Sequence, residues 1–130
     1  MYSLGDVFKQ AQQDSYTREL HGKGFKSYMC YGYKIVKDLS TNFISIINMT
    51  QGGDFYKYAT KTEIDTFYTL GWKKAIYVLY LSNCRLKLEK IETRIKDAMV
   101  NNESLKTIRK LKSSREQIIL RFNKVKNKLN

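Results

Sequence analysis

The stretch SLKTIRKLKSSREQIILRFNKVKNKLN, residues 104–130, carries two patterns at once. Apolar side chains recur in it at alternating spacings of three and four, the heptad repeat of a helix that packs along one seam. The same stretch holds nine Lys or Arg and one acid, Glu116. We predict a helix with Ser104 as its N-cap, because a serine side chain accepts a backbone N–H of the first turn. The seam positions are Ile108, Leu111, Arg115, Ile118, Phe122, Val125 and Leu129.

A second heptad pattern comes earlier in the chain and supplies a partner helix. Residues 100–104 (VNNES) separate the two patterns, and so short a linker joins neighbouring antiparallel helices. The sequence therefore predicts a coiled-coil-like helical hairpin in which Leu88 faces Arg115. The second seam comprises Tyr77, Leu81, Cys84, Leu88, Ile91, Ile95 and Ala98.

The first helix of the hairpin is predicted to begin near Thr60. Thr60 and Glu63 match a capping box, in which each side chain binds the other residue's backbone N–H, and Thr62 with Asp65 is a competing frame. From there to about Met99 only Gly71 interrupts the helical pattern, either by kinking the helix or by permitting close packing. A second apolar stripe is expected to seat the rest of the fold: Trp72, Ile76, Leu79 and Leu86.

The first half of the chain predicts a small α/β layer. Residues 4–20 place apolar side chains on one helical face, with Ser3 as the N-cap. Residues 25–37, 43–49 and 55–60 resemble strands, joined by a loop over 38–42 and a turn over 51–54. We therefore predict an α+β fold in a single domain over 1–130. It contains an N-terminal helix and loop (1–24), a three-stranded antiparallel meander (25–60) and the helical hairpin (61–130).

The residue types argue against an enzyme, a metal site or a cofactor. His21 is the only histidine, and Cys30 and Cys84 share no ligand spacing. The carboxylates are scattered singly, and no phosphate-binding glycine loop or nucleophile elbow is present. The two cysteines favour free thiols in a reducing compartment over a disulfide.

The net charge of +12 and the pI of about 9.7 favour an anionic partner, either nucleic acid or an acidic protein surface. A membrane is not expected, because the longest apolar run, Ala75–Leu81, is too short to span one. Lys, Asn, Ile, Tyr and Phe make up 53 of 130 residues, which suggests AT-rich coding and a phage or mobile-element source. No signal-peptide pattern opens the chain, so we expect it in the host cytoplasm or a virion.

Two groups of residues are the predicted functional sites. Arg115, a charge within the seam, is expected to set the hairpin register by pairing with Glu89 or Glu92, or else to stand exposed at a docking notch. The basic side chains of the last helix are expected to contact the anionic partner: Lys106, Arg109, Lys110, Lys112, Arg121, Lys124, Lys126 and Lys128.

Tyrosines in the predicted sheet offer an alternative site. Tyr31 and Tyr33 are predicted on one strand face and Tyr28 on the other, and Tyr56 and Tyr58 are predicted to share a face of the third strand. With the interleaved lysines they resemble a platform that stacks single-stranded bases. The simpler interpretation is that tyrosine is a good strand former.

We therefore predict a non-enzymatic structural or assembly protein, a phage virion component, whose basic hairpin contacts nucleic acid or an acidic protein. Such a protein is expected to be oligomeric or part of a larger assembly. The alternatives are a small nucleic-acid-binding regulatory or anti-host-defence protein, and an inhibitor that blocks an acidic surface.

Overall fold

A computed structural model describes residues 1–52 and 57–129, and the chain divides into two compact units. Unit 1 is Met1–Ile76 and unit 2 is Tyr77–Asn130. The fold is α+β, as predicted, whereas the single domain over 1–130 stays a prediction. The helices are α1 (Leu4–Gln13), α2 (Lys61–Leu70), α3 (Trp72–Val100) and α4 (Leu105–Leu129).

The sheet in unit 1 is antiparallel, and the described residues contribute five strands to it rather than the three predicted. They pair in chain order: β1 (Arg18–Glu19), β2 (Phe25–Cys30), β3 (Tyr33–Asp38), β4 (Ile44–Asn48) and β5 (Lys57–Tyr58). Two errors account for the difference: residues 25–37 form a β-hairpin and not one strand, and residues 18–19, within the span predicted as helix, form β1. Tyr31 (φ 48°) and Gly32 (φ 83°) make its two-residue turn, where positive φ at both positions matches the strand twist.

Of the other two predicted turns, one is confirmed and one lies partly outside the described residues. The loop over 38–42 is confirmed: the N–H of Asp38 donates to the carbonyl of Phe43, and Asn42 takes a positive φ of 61°. Residues 53–56 lie outside the described part of the chain, so the second half of the turn over 51–54 and the start of the strand over 55–60 are not covered.

One face of the sheet forms the core of unit 1. Tyr28, Ile35 and Ile46 lie directly opposite one another on β2, β3 and β4, and all three are buried. Helix α1 contacts these strands and α2, and the ring of Phe8 meets that of Tyr28 edge-on at 5.3 Å. The alternation of buried and less buried side chains along β3 is what a half-covered sheet requires.

Helix α1 ends earlier than predicted, at a point where a side chain forms a local hydrogen bond with the backbone. Ser3 caps its start as predicted, in a capping box with Asp6. The helix ends at Gln13, and the Asp14 carboxylate accepts the N–H of Tyr16 at 3.0 Å. Such a local bond offers the backbone an alternative to the next helical turn.

The predicted helix from about 61 to 99 is two helices, because Gly71 separates α2 from α3. Gly71 takes φ 79° and ψ −179°, a conformation that essentially only glycine adopts. The N–H of Trp72, which opens α3, donates to the side-chain oxygen of Gln10 at 2.8 Å. The Trp72 indole is fully buried, stacks on Phe67 at 5.6 Å and donates its N–H to Thr17.

Glu63 ties α2 to the sheet. The predicted capping box between Thr60 and Glu63 is confirmed. The same carboxylate accepts the hydroxyl of Tyr33 at 2.6 Å and the side-chain amide of Asn48 at 3.0 Å. One acid therefore satisfies a helix terminus and two side chains from neighbouring strands.

Gly71→Ala is expected to lower the free energy of unfolding by about 1–3 kcal/mol through backbone strain. The loss should be larger still because the added Cβ would lie 2.6 Å from the Gln10 side-chain oxygen. Urea unfolding checks this. Gly24→Ala is the control, since Gly24 shares a φ of +79° but has open space around it, and should cost less. Equal losses in the two variants would contradict the role of Gln10.

Unit 2 contains the predicted antiparallel hairpin of α3 and α4, which pack together. Arg85 of α3 lies over the ring of Phe122 at 5.5 Å, and Lys128 of α4 lies over Tyr77 at 5.8 Å. Both pairs agree with a reversal of direction at residues 101–104. The predicted N-cap is confirmed, because the Ser104 hydroxyl accepts the N–H of Thr107 at 3.2 Å.

The buried side chains of the hairpin lie in the predicted seam. The second apolar stripe is shorter than predicted. Trp72 and Ile76 are buried and Leu79 is half-buried, but Leu86 is 56% exposed, so its inclusion was wrong. None of the described helices is both long enough and apolar enough to cross a membrane. The buried seam residues are Tyr77, Leu81, Cys84, Ile95, Ala98 and Val125.

Candidate polyanion-binding surface

The positive charge of the chain is concentrated in unit 2. Residues 77–130 contain 14 Lys or Arg and five Asp or Glu, so they carry +9 of the total +12. Unit 1, with 76 of the 130 residues, carries the remaining +3. A field this strong attracts polyanions and opposes the close approach of two like-charged helices.

The eight residues predicted to contact a partner are all exposed on α4. Lys128 lies over the ring of Tyr77. The other seven form no ion pair with any described carboxylate: Lys106, Arg109, Lys110, Lys112, Arg121, Lys124 and Lys126.

These residues do not share one face of the helix. At 3.6 residues per turn, Lys110, Arg121, Lys124 and Lys128 lie to one side of the seam. Lys106 points away from it, and the remaining three lie to the other side: Arg109, Lys112 and Lys126. This division into two sides follows from the heptad positions of the sequence.

One cation of the hairpin is neutralised at its tip. The Arg94 guanidinium binds both carboxylate oxygens of Glu103, which lies in the linker, with one nitrogen–oxygen distance of 2.8 Å. The hydrogen bonds from Arg94 lower the pKa of Glu103 below its ordinary value of 4.5, and the bound Glu103 carboxylate raises the pKa of Arg94. The sequence patterns did not predict this pair, in which Glu103 belongs to the predicted linker and Arg94 lies nine residues earlier in α3.

The lowered pKa of Glu103 predicts a pH-dependent contribution to stability. The pair stabilises the folded hairpin fully above about pH 4.5 and loses its effect as pH falls through the lowered folded-state pKa. We expect the melting temperature of the native protein to exceed that of Glu103→Gln at about pH 6, and the gap to close by about pH 2.

Glu116→Gln is the control, because Glu116 is an exposed carboxylate of α4 without an ion pair in the described chain. Because Glu116→Gln breaks no ion pair of the described chain, it should lack the loss of melting temperature that Glu103→Gln shows at about pH 6. A gap for Glu103→Gln that stays constant down to about pH 2 would contradict the assignment.

Arg115 occupies the seam, but the predicted ion pair is not formed. Its Nε is buried and has no hydrogen-bond partner among the residues that the structure describes. Glu89 and Glu92 are both exposed, and neither binds Arg115 within the part of the chain that the structure describes. A carboxylate drawn into the seam would lose hydration, and that cost opposes the pairing.

Arg115→Leu is expected to raise the free energy of unfolding by about 1 kcal/mol, because it removes a buried polar atom without a partner and completes the apolar seam. Urea unfolding measures the change. Lys112→Leu is the control, since Lys112 is exposed on the same helix and its replacement should change stability by less than about 0.5 kcal/mol. A clear loss of stability in Arg115→Leu would overturn this expectation.

The tyrosine platform is not formed on β2 and β3. Tyr28 and Tyr33 lie on the same face of the sheet, not on opposite faces, and are 2% and 1% exposed. Tyr31 is in the turn between the strands. Tyr56 lies outside the described residues, and Tyr58 is exposed on β5. The buried rings support the simpler interpretation of tyrosine as a strand former.

Other reactive side chains of the described chain have structural surroundings. His21 accepts the backbone N–H of Ser27 at 3.2 Å. Cys30 and Cys84 are not joined by a disulfide, and no group of His, Cys, Asp and Glu in residues 1–52 and 57–129 is placed to hold a metal ion. No family model, curated protein or solved structure matches the chain. Function is therefore inferred from the charge and geometry of the hairpin.

Proposed function

We propose that this protein is a non-enzymatic structural or assembly protein whose basic helical hairpin contacts an anionic partner, nucleic acid or an acidic protein surface. The observation that carries the proposal is the charge of unit 2: +9 on 54 residues, with exposed cations that described carboxylates do not neutralise. Self-repulsion of this size weakens a hairpin held by one narrow seam, and a bound polyanion relieves it.

An assembly role has separate support at the tip of the hairpin. Met99, Val100 and Leu105 flank the linker and are 54%, 79% and 69% exposed. Apolar side chains grouped on a surface are typical of protein contacts. The AT-rich composition supports a phage or mobile-element source, which makes a virion component the leading form of the proposal.

The second candidate is a small nucleic-acid-binding regulator. It is favoured by the row of four cations on one side of α4, which holds no acid between them: Lys110, Arg121, Lys124 and Lys128. The two candidates differ in what the charge serves, either a stable assembly or reversible binding to a polynucleotide.

Binding to heparin and to polyglutamate, two polyanions of different chemistry, tests the proposal. We expect the native protein to bind at least one of them at about 50 mM salt, with affinity falling steeply by about 200 mM. The variant K110Q/K112Q/K124Q/K126Q should bind at least about tenfold more weakly, since it removes up to four ionic contacts.

The matched control is K9Q/K23Q/K26Q/K57Q, which makes the same charge change at exposed lysines of unit 1. It should weaken binding by less than about threefold, the part due to net charge alone. Equal losses in the two variants would contradict a hairpin site. Absence of binding to both polyanions at about 50 mM salt would remove the proposal itself.

A further inference from the structure

The seam divides the surface of the hairpin into two sides of different composition. In each helix one row of side chains flanks the seam on either side, and reversal of the second helix places the corresponding rows at the same edge. We call one edge the basic side. Its positions in α3 are 80, 83, 87, 90, 94 and 97, and those in α4 are 107, 110, 114, 117, 121, 124 and 128. The mixed side comprises positions 78, 82, 85, 89, 92, 96 and 99 in α3 and 109, 112, 116, 119, 123 and 126 in α4.

The two sides differ sharply in charge. The mixed side carries five cations and three acids, so its charges largely offset one another. The basic side carries seven cations and one acid, Asp97, and its Arg94 is already bound by Glu103. Besides Arg94, the basic side carries six exposed cations: Lys87, Lys90, Lys110, Arg121, Lys124 and Lys128, the last of which lies over the ring of Tyr77.

We propose that the basic side binds the phosphate backbone of a nucleic acid duplex. This inference rests on the proposed function and names its partner and surface. From Lys110 to Lys128 the row extends about 27 Å at 1.5 Å per residue, which matches roughly eight base pairs of a duplex at about 3.4 Å each. A polynucleotide backbone presents regularly spaced negative charge, which a row of cations without acids complements along its length.

The chemistry of the basic side favours a backbone over a protein surface. Protein interfaces are enriched in aromatic side chains, Met and Arg and depleted of Lys, whereas five of these six cations are lysines. The large exposed apolar side chains of the hairpin all lie off the basic side: Leu86, Met99, Val100, Leu105, Ile119 and Leu120. An acidic protein would gain little from this side beyond charge attraction.

The same side favours a duplex over a single strand. Binding of single strands uses aromatic side chains on which bases stack. All 13 positions of the basic side are described, and Tyr80, their one aromatic residue, is half-buried. Lysine ammonium groups on long stems contact phosphates as flexible point charges, and phosphate contacts carry no sequence information. The proposed binding is therefore independent of sequence.

Two variants of the full-length protein test the assignment, and both replace two lysines and one arginine on α4 by glutamine. The basic-side variant is K110Q/R121Q/K124Q, and the mixed-side variant is R109Q/K112Q/K126Q. All six positions are exposed and away from the buried seam. Equal thermal stability of the two variants shows that any difference in binding is not a folding defect.

Fluorescence anisotropy with a labelled 16-base-pair duplex, as DNA and as RNA, measures affinity between about 50 and 200 mM salt. We expect the native protein to bind both duplexes, because the backbone charge is common to them. The basic-side variant should bind at least about tenfold more weakly at 100 mM salt, and its slope of log affinity on log salt should be shallower by about 2.7 for three lost phosphate contacts. The mixed-side variant should change the slope by less than about 1.

Equal changes of slope in the two variants, or tighter binding of a single strand than of the duplex, would overturn the proposal. Binding of only the DNA or only the RNA duplex would overturn recognition through backbone charge alone. Binding of polyglutamate without binding of either duplex would overturn this inference and leave the proposed function intact. If K110Q/R121Q/K124Q does not fold, K87Q/K90Q removes two cations of the same side on α3, and its slope should be shallower by about 1.8.

Discussion

The hydrogen bond from the Trp72 N–H to the Gln10 side chain determines where the longest helix of this protein begins. It forms only because Gly71 adopts a backbone conformation closed to other residues, which ends α2 and brings Trp72 against the core. The Trp72 ring stacks on Phe67, which in turn meets Tyr33 of the sheet edge-on at 5.9 Å. The rings of Trp72, Phe67 and Tyr33 thus connect α2 and the start of α3 to the sheet, and Gln10 joins α1 to the same place through its hydrogen bond to Trp72.

A different balance governs unit 2. Its seam buries a narrow row of apolar side chains, and the rest of both helices is charged with mainly one sign. Apolar burial holds such a hairpin together while charge repulsion opposes it, and only the Arg94–Glu103 pair offsets that repulsion with a bidentate ion pair among the described residues. The excess positive charge opposes the stability of the hairpin, and binding of an anionic partner gives that charge a physical role. The charge is uneven between the two sides of the seam, and the proposed binding therefore belongs to the basic side.

The sequence patterns that predicted structure correctly were local and repetitive. Heptad spacing, the short linker and the serine cap define the hairpin, because each depends only on residues within a few turns of one another. The predictions that failed concern features in which a local signal is weak. The turn at Tyr31 and Gly32 lies inside a run of good strand formers, and Arg115 lacks its expected partner because solvation of the facing carboxylates competes with pairing.

By itself the sequence determined the α+β class, the helical hairpin and the concentration of positive charge at one end of the chain, since periodicity and composition require no knowledge of distant contacts. Only the tertiary structure decided that Gly71 separates two helices, and it places the Gln10 side chain, 62 residues away in sequence, at the N–H of Trp72. It also decided that Tyr28 and Tyr33 are buried in a core and do not form a surface platform, because strand register sets the face on which each ring lies. Once the helices are paired antiparallel, their geometry assigns each cation of the hairpin to a side.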